Sequence, residues 1–102
     1  MWIEWTEPAV DDVAGIQAYI AKDSPFYAQQ FVERLFEITE HLTAFPAMGR
    51  KAPEAEDRDV IRELVFHGYR IMYWQQPDRI AILTVIHGCR DLAGMDNKPW
   101  IA

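Results

Sequence analysis

The sequence predicts an α+β domain in which a helical hairpin packs on one face of an antiparallel sheet. Apolar residues recur at helical spacing up to about residue 45, and the period changes to 2 from residue 60 onward. Turn-forming residues punctuate the segments, giving the order strand, helix, helix, strand, strand, strand. Half of the 102 residues are apolar and a quarter are charged, a balance that builds one folded core over 1–102 and not a disordered tract.

Trp2 to Trp5 is short, aromatic and β-branched, and reads as a strand. Thr6 offers a hydroxyl N-cap, Pro8 fits a first turn, and Asp11 and Asp12 lie at the favourable end of the helix dipole. Val13, Ile16 and Ile20, widened by Val10 and Tyr19, then predict a helix over about 7–22. Asp23-Ser24-Pro25 stops that helix and starts the next, with Ser24 as cap and Pro25 in the first position. Phe31, Leu35, Ile38, Leu42 and Phe45 form one continuous seam, with Phe31, Phe36 and Phe45 as core filler, and Phe45-Pro46 ends the helix. So short a connection between amphipathic helices makes them an antiparallel hairpin.

Residues 46–59 read as a loop, with the acidic run Glu54 to Asp59 at its end. Val60 to Phe66 and Tyr69 to Trp74 are strands joined by a tight turn at His67-Gly68. Alternation puts Tyr69, Ile71 and Tyr73 on one face and Arg70, Met72 and Trp74 on the other. Arg79 to His87 is apolar except at its ends and at Thr84, the pattern of a central strand covered on both faces. The first strand has to join this sheet, because alone it has no stability. The tail from Gly88 to Ala102 carries no readable conformation.

Charge is unevenly distributed. The chain holds 10 basic and 16 acidic residues, a net charge of −6. Residues 1–49 carry Lys22 and Arg34 against eight acids, whereas residues 50–102 balance eight against eight. The long-range field repels polyanions, and the negative first half suits a basic peptide partner. No apolar run reaches the roughly 18–20 residues of a membrane span. The start of the chain lacks the basic and apolar regions of a secretory signal. The single Cys89 rules out an intrachain disulfide, so a cytoplasmic location is expected. His41, His67 and His87 have no partners at ligand spacing, and no phosphate loop or nucleotide fingerprint occurs, so neither metal nor cofactor is expected. Arginines within apolar strands are the unusual feature. Arg62 and Arg70 either face the side of the sheet that the helices leave open or pair with internal acids such as Glu63 or Asp91.

Taken in order, Trp5-Thr6, Ala9, Asp12, Ile16, Tyr19-Ile20-Ala21, Asp23-Ser24-Pro25, Ala28 and Phe31 resemble a known family. So do Leu42, Phe45-Pro46, Gly49-Arg50, Ile61-Arg62-Glu63-Leu64, Tyr69-Arg70-Ile71, Tyr73 and Val85 to Leu92. Together they look like the RelE/ParE superfamily of toxins from type II toxin–antitoxin, or plasmid stabilisation, modules, over residues 2–92. The resemblance implies a RelE/ParE-like fold and a growth-inhibiting toxin held inactive by the C-terminal segment of a cognate antitoxin. That segment is disordered alone and folds on binding, as a helix in a groove and a strand on a sheet edge. RelE-like members are ribosome-dependent mRNA endonucleases, and ParE-like members poison DNA gyrase without being known as nucleases. Under the nuclease alternative the catalytic candidates are Arg62, Arg70, His87 and Arg90, with Arg62 and Arg70 holding phosphate and His87 transferring a proton. Two departures favour the ParE-like branch: Lys51 is the one lysine near that groove, and the tail after Arg90 has neither Tyr nor His. The ending His87-Gly88-Cys89-Arg90-Asp91-Leu92 resembles ParE as well.

Overall fold

The computed structural model describes residues 1–55 and 60–88. The expectations for the acidic run at 56–59, for Cys89, Arg90 and Asp91, and for the tail through Trp100 and Ile101 lie outside the described residues. Two helices pack on a five-stranded mixed sheet, in the order β1 (Trp2–Trp5), α1 (Glu7–Ala21), α2 (Pro25–Glu40), β2 (Arg50–Lys51), β3 (Ile61–Phe66), β4 (Tyr69–Gln75) and β5 (Arg79–His87). Short 3₁₀ turns occupy His41–Thr43 and Pro53–Ala55. The spatial order is β1-β5-β4-β3-β2. β3, β4 and β5 form the expected antiparallel meander, and β1 joins it at the far edge parallel to β5. That placement gives β5 a neighbour on each side, as its unbroken apolar run requires. The two-residue β2, which the 46–59 loop conceals in sequence, closes the opposite edge against β3.

Both helices cover one face. Ala9 and Val13 of α1, Leu35 of α2 and Leu42 beyond it pack with Leu64, Ile71, Tyr73, Ile80, Ile82 and Val85. Tyr73 and Trp74 take opposite faces, as alternation predicted, and it is Tyr73 that faces the helices. That other side is not open at its centre: Ile61, Met72, Ala81, Leu83 and Ile86 are buried there with Ala52 and Ala55. Ala52 and Ala55 thus belong to the core and not to a solvated loop.

The helix starts differ in how they are held. Ser24 Oγ accepts the Tyr27 N–H at 3.1 Å, a conventional cap. Thr6 occupies the cap position of α1, but its side chain makes no cap bond. Its hydroxyl donates instead to the Ile82 carbonyl at 2.6 Å. Asp12, expected to act on the helix dipole, also reaches β5: its Oδ2 accepts from the Thr84 hydroxyl and, at 3.0 Å, from the Val85 N–H. The β4–β5 register skips Leu83 at this point, so α1 is fastened to a β-bulge by Thr6 and Asp12 together.

The expected seam on α2 stops early. Thr39 and Thr43 donate their hydroxyls to the Phe36 and Glu40 carbonyls, a back-bonding that loosens helices. The α-helix gives way to a 3₁₀ turn at His41. Leu42 still reaches the core, but Phe45, pushed off the helical path by Pro46, is 64% exposed instead of buried. Phe36, likewise expected as core, is partly exposed and stacks edge-on against Trp5 at 4.9 Å. Val10 and Tyr19 are exposed and do not widen the α1 stripe. His67 and Gly68 adopt φ of 48° and 82°, the pair of positive values that a two-residue hairpin turn needs.

Asp12→Ala is expected to cost about 2–3 kcal/mol, because it strips a charged acceptor from two donors at the bulge. Ser24→Ala is expected to cost about 1 kcal/mol. Urea denaturation of the two variants checks the order; a costlier Ser24→Ala would contradict the anchoring role of Asp12.

Candidate functional site

The chemistry-bearing side chains gather where β2, β3 and β4 meet. Arg70 projects to the face away from the helices, opposite Val65. From there it reaches diagonally to Glu63, two residues along the same face of β3, as cross-strand neighbours do. Its Nε donates to Glu63 Oε2 at 2.8 Å and its second terminal nitrogen to Oε1 at 3.0 Å. Both residues are buried. Of the two dispositions the sequence allowed for Arg70, the internal acid wins, and Glu63 is that acid. Arg50, on the edge strand, adds a 3.5 Å contact to Glu63 Oε2 while 65% of its side chain stays exposed.

Arg62 has the opposite orientation. It pairs in register with Tyr73 and so lies on the helix side of the sheet, at its edge. Its terminal nitrogen donates to the Gly49 carbonyl at 2.9 Å, and its Nε is buried without a hydrogen-bond partner. Tyr73 works on the same segment. Its hydroxyl accepts the Gly49 N–H at 2.9 Å and donates to the Pro46 carbonyl at 2.8 Å. Gly49 is required here by proximity: a Cβ at this position would lie 2.5 Å from the Glu63 carbonyl oxygen and 2.7 Å from the Tyr73 hydroxyl. Burial of the Tyr73 hydroxyl pushes its pKa above the ordinary 10.0, and the Gly49 bond and the Arg62 charge only partly oppose this.

His87 stands at the other end of the sheet. It is exposed, pairs with Tyr69 and lies edge-on to that ring at 5.8 Å. Tyr69 belongs to a cluster in which Phe31 of α2 meets Phe66 at 5.3 Å and Tyr69 at 5.5 Å. The register partners of Arg62 and His87 on β4 are Tyr73 and Tyr69. These are roughly 13 Å apart at the rise of about 3.3 Å per residue. The three described candidates therefore do not converge: Arg62 is bound to a loop carbonyl on the helix side, Arg70 is paired with Glu63 on the other face, and His87, one register step from Arg70, lies at the end of the sheet away from Arg62. Neither arginine projects freely from an uncovered face: Arg70 is held by Glu63, whose burial demands a cation, and Arg62 lies on the helix side, bound to the Gly49 carbonyl. Among the described residues, no group of three or more His, Cys, Asp or Glu side chains is placed to hold a metal ion. None of the helices there is long and apolar enough to cross a membrane.

Sequence reasoning missed an apolar groove between the helices. Val10, Val13, Ala14 and Gln17 of α1 face Val32 and Phe36 of α2, with Trp5 at one end, around a space of about 400 Å³. The exposed Val10 and Phe36, which break the inward stripes, are its signal. Glu7 precedes Val10 by three residues along α1, and Glu33 and Glu40 stand three and four residues from Phe36 along α2, at helical neighbour spacing.

Removing one partner of the buried pair, as in Glu63→Ala, is expected to cost about 3–5 kcal/mol. Arg50→Ala, on the exposed side of the same carboxylate, is expected to cost less than about 1 kcal/mol. Chemical denaturation distinguishes the two. Tyr73 adds a pH dependence. The folded state holds its proton more tightly than the unfolded chain, so that contribution is whole below about pH 10 and is lost as pH rises through the raised folded value. Wild-type stability is expected to fall more steeply than that of Tyr73→Phe above about pH 10, and parallel slopes would refute this.

Comparison with known proteins agrees with this architecture. Residues 3–92 match the family described as ParE toxin of type II toxin-antitoxin system, parDE. A curated relative from Sinorhizobium fredii, named "Putative toxin Y4kP", is 35% identical over 85 residues, covering 83% of this chain and 85% of its own. A solved structure titled "Chromosomal ParDE TA system from P. aeruginosa" superposes with a TM-score of 0.71. It is 22% identical, covers 85% of this chain and 95% of its own, and shows the shared fold. With its helical hairpin on a mixed sheet and a family match running nearly end to end, the chain belongs to the ParE toxin family of type II toxin–antitoxin systems.

Proposed function

We propose that this toxin acts in the cytoplasm by capturing DNA gyrase, without catalysis of its own, and is neutralised by the C-terminal segment of a cognate antitoxin. One observation carries the non-nuclease reading: the Arg70 guanidinium is held bidentately by the buried Glu63 carboxylate. A phosphate-gripping arginine needs its fork directed at the substrate, and here a carboxylate takes it. Arg62 and Arg70 project from opposite faces of the sheet, and the register places Arg62 and His87 roughly 13 Å apart, which weighs against a proton-transfer constellation around one phosphate. The net charge of −6 also opposes docking on RNA.

The groove between α1 and α2 fits the antitoxin. Its floor is apolar and the helices on both sides carry acids, so an amphipathic helix with basic flanks would bury its apolar side there. A segment that is disordered when unbound loses its hold once proteolysed, which releases the toxin.

Purified toxin added to gyrase is expected to abolish supercoiling, and induction in cells to raise DNA-damage signalling while transcripts stay intact. Full supercoiling at saturating toxin, or new 5′ ends in mRNA that vanish in His87→Ala, would overturn this reading in favour of an mRNA endonuclease.

A further inference from the structure

We infer that the loop Phe45–Met48, with Arg50 beside it, is the surface by which this toxin engages its target. The inference rests on the proposed function for the target's identity. It starts from a mismatch between backbone and side chains. The loop backbone is fastened from beneath by three hydrogen bonds: Tyr73 to the Pro46 carbonyl, the Gly49 N–H to Tyr73, and Arg62 to the Gly49 carbonyl. A buried tyrosine, an arginine whose Nε goes unbonded, and a glycine with no room for a Cβ all serve this fastening. Yet the apolar side chains so positioned stay at the surface. Phe45 is 64% exposed and Met48 42% exposed. With Ala44, Pro46 and Ala47 they line an open apolar depression of about 430 Å³.

A connector that only joins α2 to β2 has no use for such rigidity, whereas a docking surface does. A loop already fixed in its binding conformation loses less entropy on association. Charge then selects the partner. Arg50 follows the loop after Gly49, and its contact with Glu63 duplicates what Arg70 already provides at shorter range. The Arg50 guanidinium, with 65% of its side chain exposed, displays a positive charge at this edge. The matching surface is a protein patch with an apolar side chain that seats against Phe45 and Met48 and a carboxylate that meets Arg50. A nucleic acid matches less well, because the loop is apolar and the whole chain is anionic. This surface is separate from the α1–α2 groove, so target and antitoxin would contact different parts of the toxin.

The test uses the full chain in four forms: wild type, Phe45→Ser with Met48→Ser, Arg50→Glu, and Phe26→Ser as a control at an exposed aromatic on α2. Melting temperatures verify folding; growth after induction and inhibition of gyrase supercoiling report on the target. Both loop forms are expected to melt like wild type, to need about tenfold or more toxin for half inhibition, and to relieve growth arrest, while the control does neither. Loop forms that fold and arrest growth as wild type does would overturn the inference, whatever the target. Relieved arrest when wild type leaves gyrase untouched would sustain the surface and overturn only the gyrase reading. A wild type that neither slows growth nor inhibits gyrase would overturn both. Relief by Arg50→Glu alone, matched by loss of DNA retention on a column, would assign the surface to nucleic acid and overturn the protein partner.

Discussion

Glu63 places a carboxylate within a sheet face otherwise built from Ile61, Met72, Ala81, Leu83 and Ile86. A charge in such surroundings persists only with a cation bound to it, and Arg70 supplies both prongs of its guanidinium. The pair also fixes alignment. Side chains alternate along a strand, so a slip of one residue between β3 and β4 would carry Arg70 to the helix side and strand the carboxylate. One ion pair thus sets the register of the hairpin, determines which face each remaining side chain takes, and commits an arginine that would otherwise be available to a ligand.

The rest of the architecture follows from β5. It is apolar nearly throughout and buried on both faces, so it must be central, with β4 on one side and β1 on the other. Its bulge is where α1 attaches: Thr6 and Asp12 converge on residues 82–85 from the start of the helix. Helix and sheet are therefore joined by specific polar contacts as well as by the apolar core. The short turn at Asp23-Ser24 then brings α2 back antiparallel over the same face.

Two exposed apolar features remain once the core is complete, and their surroundings have opposite sign. The groove between α1 and α2 lies in the half of the chain that carries the whole net charge of −6, whereas the Phe45–Met48 loop ends at Arg50 on the cationic edge. A toxin that must meet both a neutralising partner and a target benefits from surfaces of unlike chemistry, because each then rejects the other's ligand. The proposed division, antitoxin to the acidic groove and target to the loop beside Arg50, rests on that contrast.

The sequence by itself determined both helices, the first strand, the three-strand meander and the family, but not the edge strand β2. These depend on local periodicity, on caps such as Ser24 and on turns such as His67-Gly68, whose physics lies within a few residues. It also narrowed Arg70 to two dispositions, one of which was pairing with Glu63. Tertiary structure decided the rest. Choosing between those dispositions required knowing that Ala52 and Ala55 help bury the face where Arg70 lies, which no local pattern reports. The same is true of the Thr6 hydroxyl turning from its own helix to β5, and of Phe45 leaving the seam where two back-bonded threonines and a proline end the helix. Hydrogen bonds between residues more than 70 positions apart form only after the chain has packed, so their partners cannot be read along it.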